Sequence, residues 1–225
     1  MMKLNRKYLS ISVIAIFVFA SIFMAANVEA LDTVIGQADI SLNGERQHVR
    51  TQETNLGNLV TDIIRWNTGA DIVVYNGGGI RDSADLGDIT LEDAIEILAF
   101  DNEIVSLEMS GLDIKRMLEH SVSSYPEVSG KFLQVSGLRF YFDASAEPGH
   151  RVKDIYVGGE RLRIRDNYEV ATNEFLAAGG DEYYMMEEAR HLMTFGTRDQ
   201  AMFIQYIQNN SPLFPVVEGR IVVID

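Results

Sequence analysis

Three arginines, two phenylalanines and an aspartate stand where side chains could act on a ligand. Arg81 ends "YNGGGIR", Tyr75 to Arg81, in which three glycines follow the apolar run "DIVVYN". Glycine admits positive φ and lets a backbone approach a ligand without a Cβ. The N–H groups of Gly77, Gly78 and Gly79 can therefore form an anion nest, with Arg81 reaching the same space. The same stretch also reads as an ordinary tight turn followed by a solvated arginine. Arg46 and Arg50 in "ERQHVR" are four residues apart and share a face on a helical turn, a spacing that also suits a solvated charge run. Phe100 in "LAFDN" and Phe175 in "NEFLAAGGD" each end a regular element beside a polar or glycine-rich turn. Such a pair is either core or a clamp for a planar base, where stacking is worth about 1–3 kcal/mol per base. "GGD" at Gly179–Asp181 adds a carboxylate on a second glycine turn.

Other chemistries are missing from the pattern. His48, His120, His150 and His191 are far apart, with no His-x-His, Asp-x-His, Asn-His or His-Glu-x-x-His among them. A dinuclear hydrolytic centre needs several such ligands converging on two cations, so each histidine reads as a surface or packing residue. Gly-x-Ser-x-Gly and the phosphate loop Gly-x-x-x-x-Gly-Lys-Ser/Thr are absent. Gly77-Gly78-Gly79 continues as Ile80, Arg81 and Asp82, which breaks the dinucleotide fingerprint. No cysteine is present, which excludes Cys-ligated zinc, thiol catalysis, disulfides and lipid attachment through an N-terminal cysteine.

The elements that must position these residues follow from periodicity. "TNLGNLVTDIIRWNTG" reads as a helix with Leu56, Leu59, Val60 and Ile63 on one face, capped by Thr54 or Asn55 and ended by Gly69. "ADIVVYN" is a short apolar strand. "TLEDAIEILAF" opens on Thr90 and Asp93, and "SGLDIKRMLEHSVSSY" on Ser110 and Asp113, both in capping-box spacing. "EIVSLEMS" alternates as a strand. "LQVSGLRFYFDAS" and "RVKDIYVGGERL" read as antiparallel strands, the second turning at Gly158-Gly159, and "NYEVATNEFLA" as another strand. Helices follow at "EYYMMEEARHLM" and "RDQAMFIQYIQNN", and "GRIVVID" closes the chain as a strand. The expected fold is α/β (α+β), one domain with a mixed β-sheet flanked by helices.

Residues 1–30 read apart from that fold. Lys3, Arg6 and Lys7 precede a charge-free apolar run of eighteen residues, and Val28-Glu29-Ala30 follows. This is the pattern of a signal peptide cleaved after Ala30, or of an N-terminal membrane anchor if uncleaved. Either places residues 31–225 outside the cytoplasm, secreted, periplasmic or at the cell surface, with membrane contact only if the segment stays. Over residues 31–225, 16 basic residues face 32 acidic ones. That balance argues against nucleic acid, whose affinity comes from neutralised phosphates. A few convergent arginines still attract a small anion at short range.

"R-x-x-E-T-N-L-G-N-L" at Arg50 to Leu59, "NGGGIRDS", "GDIT", "LAFDN", "LQVSGLRF", "EVATNEFLAAGGD" and "EGRIVV" occur in one order. Together they resemble the C-terminal, substrate-binding domain of the secreted 5'-nucleotidase family, which includes UDP-sugar hydrolases and ecto-5'-nucleotidases. The resemblance covers roughly Val34 to Val223. It implies phosphate binding by Arg81, Arg50 and Arg46, and contact with the nucleoside at Asn76, beside Gly78 of the glycine run. It implies stacking of the base between Phe100 and Phe175, a base-edge bond from Asn102 with Gly130 lining the pocket nearby, and ribose hydroxyls on Asp181. Two departures stand out: "LAFDN" replaces L-P-F-G-N, and "GGDEY" replaces G-G-D-G-Y. The family's metallophosphatase domain, with its two metals and catalytic His–Asp pair, has no counterpart in these residues. The resemblance therefore implies no catalytic residue and no cofactor here, with divalent metals expected only on a separately encoded metallophosphatase chain. The expected function is the substrate-binding half of such a hydrolase in nucleotide catabolism, acting on AMP-like nucleoside 5'-phosphates. The alternative is a free-standing exported nucleotide or nucleoside binder, a scavenger or sensor.

Overall fold

The computed structural model describes residues 31–224, so the segment read as a signal peptide or anchor lies outside the described residues. Val34–Ala38 (β1) pairs antiparallel with Gly87–Thr90 (β3) in a two-stranded ribbon. One turn of helix, Arg46–Val49 (α1), leads to Asn55–Thr68 (α2) and Ile72–Asn76 (β2). Leu91–Ile97 (α3), Glu103–Ser110 (β4) and Gly111–Ser121 (α4) follow, then Leu133–Ser136 (β5), Leu138–Asp143 (β6), Val152–Val157 (β7) and Glu160–Arg161 (β8). The remainder is Asn167–Asn173 (β9), Glu174–Ala177 (α5), a 3₁₀ turn at Gly180–Glu182, Tyr184–Glu187 (α6), Arg190–Arg198 (β10), Asp199–Asn210 (α7) and Ile221–Ile224 (β11).

Five strands form the central sheet in the order β10-β4-β9-β2-β5, with β9 and β2 parallel and the other pairs antiparallel. A second sheet runs β11-β6-β7-β8, β11 parallel to β6. The architecture is α/β with mixed sheets, as the alternation of elements predicts. β2 is buried on both faces, which is why its sequence is continuously apolar rather than alternating. Val73 and Tyr75 pack with Leu56, Ile63 and Phe203, while Ile72 and Val74 pack with Met117, Phe140 and Phe142. One core thus lies under α2 and α7, the other between the central sheet and α4 with the second sheet. Among the described residues no helix is long and apolar enough to cross a membrane.

The helix starts form as their caps dictate. Thr54 Oγ1 accepts from Gly57 N–H at 3.0 Å, Thr90 and Asp93 complete a reciprocal capping box, and Ser110 accepts from Asp113 N–H. Elsewhere the structure departs from the periodicity. "LQVSGLRFYFDAS" is two strands: Gly137, at φ +73°, turns the chain so that β5 joins β2 and β6 joins β7. The strand expected over "NYEVATNEFLA" stops at Asn173, whose side chain accepts from Leu176 N–H and starts α5. The helix expected over "EYYMMEEARHLM" is cut to Tyr184–Glu187, and Arg190–Arg198 is a strand on the open edge of β4. Arg190 sits opposite Glu108 there, its guanidinium forking onto both carboxylate oxygens at 2.9 and 2.7 Å.

Candidate functional site

The C-terminal ends of β2 and β9 point toward the loop after α3, and a cavity of about 290 Å³ opens between them. Arg50, Asn76, Gly78, Gly79, Arg81, Phe100, Asn102, Gly130, Phe175 and Asp181 line it. Nine of the ten candidate residues therefore meet in one space. Arg46 does not line it; it is exposed at the start of α1, and its charge bears on Arg50.

Arg50 follows α1 and is 7% exposed, with its Nε lacking any hydrogen-bond partner. Burial, then the charges of Arg46 and Arg81, hold its guanidinium below the usual arginine range, against a pull from Asp181. Arg81 donates only a long 3.3 Å bond to Gly78 O and lies over the Phe100 ring, 5.5 Å from its centroid. Among the described residues, no carboxylate pairs with Arg46, Arg50 or Arg81, whereas Arg116, Arg161, Arg190, Arg198 and Arg220 each have one. Buried positive charges persist when something compensates them. Two of these charges, Arg50 and Arg81, face one concavity, with Arg46 close enough to bear on Arg50. A larger cavity of about 500 Å³, near Arg65, Arg139 and Tyr156, differs in this respect: Arg220 there is already spent on both oxygens of Asp62 at 2.8 and 2.7 Å.

The triple glycine does not form the anion nest that its composition suggests. Gly77 N–H donates to Phe132 O at 2.7 Å, Gly78 N–H to Gly130 O and Gly79 N–H to Asn76 O, both at 2.8 Å. None of the three has positive φ. The glycines are there for space. A Cβ on Gly77 would lie 2.2 Å from Val49 O, and one on Gly79 would lie 2.5 Å from the Tyr75 ring. The run thus seats α1 and its arginine against the end of β2.

Phe100 and Phe175 are 59% and 44% exposed, unusual for phenylalanines that line a cavity, and neither is core. Asp181 is held by two groups, Asn76 and His120. Its Oδ2 accepts from Asn76 Nδ2 at 2.9 Å, and Asn76 Oδ1 accepts from Asn173 Nδ2 at 3.0 Å. His120 Nε2 meets the Asp181 carbonyl at 2.8 Å, a contact that places the imidazole proton on Nε2. Tyr183, buried and with its phenol pushed well above the usual range by that burial, packs its ring edge-on to His120. Its hydroxyl donates to Lys131 O at 2.5 Å, beside Gly130. Reading His120 as a surface or packing residue misses this contact; nothing in its surrounding sequence marks it.

Both departures in the motifs fall on left-handed backbone. Asp101 has φ +48° and Glu182 has φ +67°, beside Asp181 at φ +52°. Asp101 is compensated by Arg198, whose Nη1 donates to its carbonyl and whose Nε lies 3.7 Å from its carboxylate. Glu182 is exposed, and its side chain has no bonded partner among the described residues. Left-handed backbone costs a residue with a Cβ roughly 1–2 kcal/mol, part of which glycine's unfolded-state freedom offsets. Glu182→Gly is therefore expected to stabilise the fold by about 1 kcal/mol, read as a higher urea midpoint at unchanged slope. A lower midpoint would show that no strain is stored there.

Comparison with known proteins gives a consistent assignment. The family described as "5'-nucleotidase, C-terminal domain" matches residues 34–188. The trifunctional nucleotide phosphoesterase protein YfkN of Bacillus subtilis is 39% identical over 83% of the chain, which spans 14% of that protein. The 5'-nucleotidase of Bos taurus is 32% identical over 83% of the chain, which spans 36% of it. A crystal structure of a 5'-nucleotidase precursor from Thermus thermophilus superposes with a TM-score of 0.85 at 37% identity, covering 94% of this chain and 42% of the other. The chain thus spans less than half the length of each of these proteins.

Proposed function

This chain belongs to the 5'-nucleotidase C-terminal domain family, and we propose from that premise that it binds nucleoside 5'-phosphates as the substrate-binding half of a metal-dependent phosphomonoester hydrolase. One observation carries the reading: a single cavity joins two arginines that have no carboxylate partner to two exposed phenylalanines and a held aspartate. The phosphate sits at the Arg50–Arg81 end. The base stacks between Phe100 and Phe175. Asp181, with Oδ2 fixed by Asn76, accepts from the ribose hydroxyls.

Among the described residues no group of three or more His, Asp and Glu side chains is placed to hold a metal ion. The residues present do not fit a hydrolytic metal pair, and in this reading metal-bound hydroxide comes from a separate metallophosphatase chain. The residues of this chain bind and orient. The site of action is extracytoplasmic. Support comes from the basic start and apolar run of residues 1–30, from a venom 5'-nucleotidase of Macrovipera lebetinus at 33% identity, and from the "precursor" in the name of the Thermus relative.

Calorimetry with AMP, adenosine and UDP-glucose tests the binding, and mixing with a metallophosphatase of the same genome, AMP and a divalent metal tests the hydrolysis. Heat with AMP and release of phosphate are expected. No heat with any of the three ligands removes the nucleotide reading. Heat without phosphate release from any partner leaves the chain as a free-standing nucleotide or nucleoside binder.

A further inference from the structure

We propose that Asp199 sets which bases the cavity accepts, by fixing the Asn102 amide with its oxygen toward the ligand; the inference rests on the nucleotide reading above. Asp199 opens α7 and is 1% exposed. Its carboxylate is surrounded by donors. Tyr75 Oη–H lies 2.7 Å and Asn102 Nδ2 3.3 Å from Oδ2, and the Gln200 N–H lies 2.6 Å from Oδ1. Asp199 N–H in turn donates to the Asn102 carbonyl at 2.9 Å. Burial, helped by the charge of Asp101, raises the Asp199 carboxyl pKa, and the three donors oppose that rise.

With the Tyr75 hydroxyl on Oδ2 and the Gln200 N–H on Oδ1, both oxygens of this carboxyl group stand as acceptors toward their neighbours. Of the two orientations open to the Asn102 amide, only the one that turns Nδ2 to Asp199 satisfies it. Oδ1 then points elsewhere, takes no bond from another described residue and is not sealed in the protein. Asn102 lines the cavity together with Phe100 and Phe175, so this oxygen is an acceptor at the edge of whatever stacks between the rings. Arg198 holds the preceding residue by its carbonyl and its carboxylate, so the loop cannot slide to offer a different atom.

An acceptor at the base edge selects a donor. Adenine and cytosine carry an exocyclic amino group, whereas hypoxanthine and uracil place a carbonyl oxygen at the equivalent position. The cavity is therefore built for 6-amino purines, and cytosine after them, over 6-oxo purines and uracil.

Calorimetry with AMP, IMP and purine riboside 5'-monophosphate tests this on the wild-type chain. The last ligand lacks only the amino group. Both analogues are expected to bind about tenfold more weakly than AMP, the value of one well-placed hydrogen bond. In Asp199→Asn the neighbour can itself donate, the Asn102 amide is free to turn, and the ratio of AMP to IMP affinity falls toward one while inorganic phosphate binds as before. A merely structural defect would weaken every ligand together and leave the ratio intact. Equal affinities for AMP and IMP in the wild-type chain, or an unchanged ratio in Asp199→Asn, would overturn the inference alone. Absence of binding by all three nucleotides would remove the nucleotide reading and this inference with it.

Discussion

Replacing Gly77 with alanine is expected to lower the folding stability by about 3 kcal/mol, while the same change at Gly130 shifts it by less than about 0.5 kcal/mol. Gly130 lines the cavity and Gly77 stands just behind it, and the two differ in what a methyl group would meet. At Gly77 a Cβ would sit 2.2 Å from the carbonyl oxygen of Val49 and 3.1 Å from that of Phe132, so backbone blocks it on two sides. Neither carbonyl can move alone. Val49 is fully buried at the end of α1, and Phe132 O already accepts the Gly77 N–H. At Gly130 the nearest atoms are Gly78 Cα at 3.5 Å and Asp181 Oδ2 at 3.8 Å, which is ordinary contact. Urea unfolding of the two variants gives the comparison directly. Because α1 carries Arg46 and leads into Arg50, Gly77→Ala is also expected to displace Arg50, and in the proposed nucleotide reading any folded fraction binds AMP more weakly. A Gly77→Ala protein within about 0.5 kcal/mol of wild type would remove the close approach as the reason for this glycine.

What could be read in advance divides along a physical line. Strand β2 and helices α2, α3 and α4 were legible because local signals agreed: apolar period, Thr54, Thr90 and Ser110 caps, and the Gly69 stop. Strand β10 was not, because "RHLMTFGTR" has no alternation; its residues are almost all exposed, and its strand form comes from the edge of β4. The strand β1 was silent for a similar reason, being short and paired to another short segment far along the chain. Of the site, the residues that face the cavity stand in compact motifs, and their residue types pointed at an anion and a planar ring. The residues behind them did not. Tyr75 and Asp199 are 124 positions apart, Asn102 and Asp199 97 apart, and His120 and Asp181 61 apart. Asp199 reads locally as an acidic first residue of a helix. Only the packing of α7 against the central sheet turns it into the partner of Asn102. The nest expected at Gly77–Gly79 failed for a third reason. Glycine signals both positive φ and close approach, and sequence does not distinguish them.

Arg50→Met is expected to make the unliganded protein more stable by about 1 kcal/mol and to weaken phosphate and AMP binding by about 2–3 kcal/mol. The two effects share a cause. Arg50 is almost fully buried, its Nε has no partner, and its nearest charges include two more arginines. Methionine has similar length and flexibility and brings no charge to desolvate, so the empty site relaxes. In the proposed reading a phosphate ligand supplies the missing negative charge, with hydrogen bonds to charged groups worth about 1.5–3 kcal/mol. Arg81 is the control. It is exposed and rests on Phe100, so Arg81→Ala loses about 2 kcal/mol of phosphate binding with no gain in stability. Thermal unfolding with and without phosphate separates the terms. Phosphate at about a hundred times its dissociation constant stabilises the wild-type chain by about 2.7 kcal/mol, and Arg50→Met begins higher and gains little. If Arg50→Met instead unfolds at a lower temperature and responds to phosphate as the wild type does, Arg50 is a structural residue and the anion site lies elsewhere. If stability rises and the phosphate response disappears, the buried, unpaired guanidinium is the point at which this fold gives up stability to hold a phosphate.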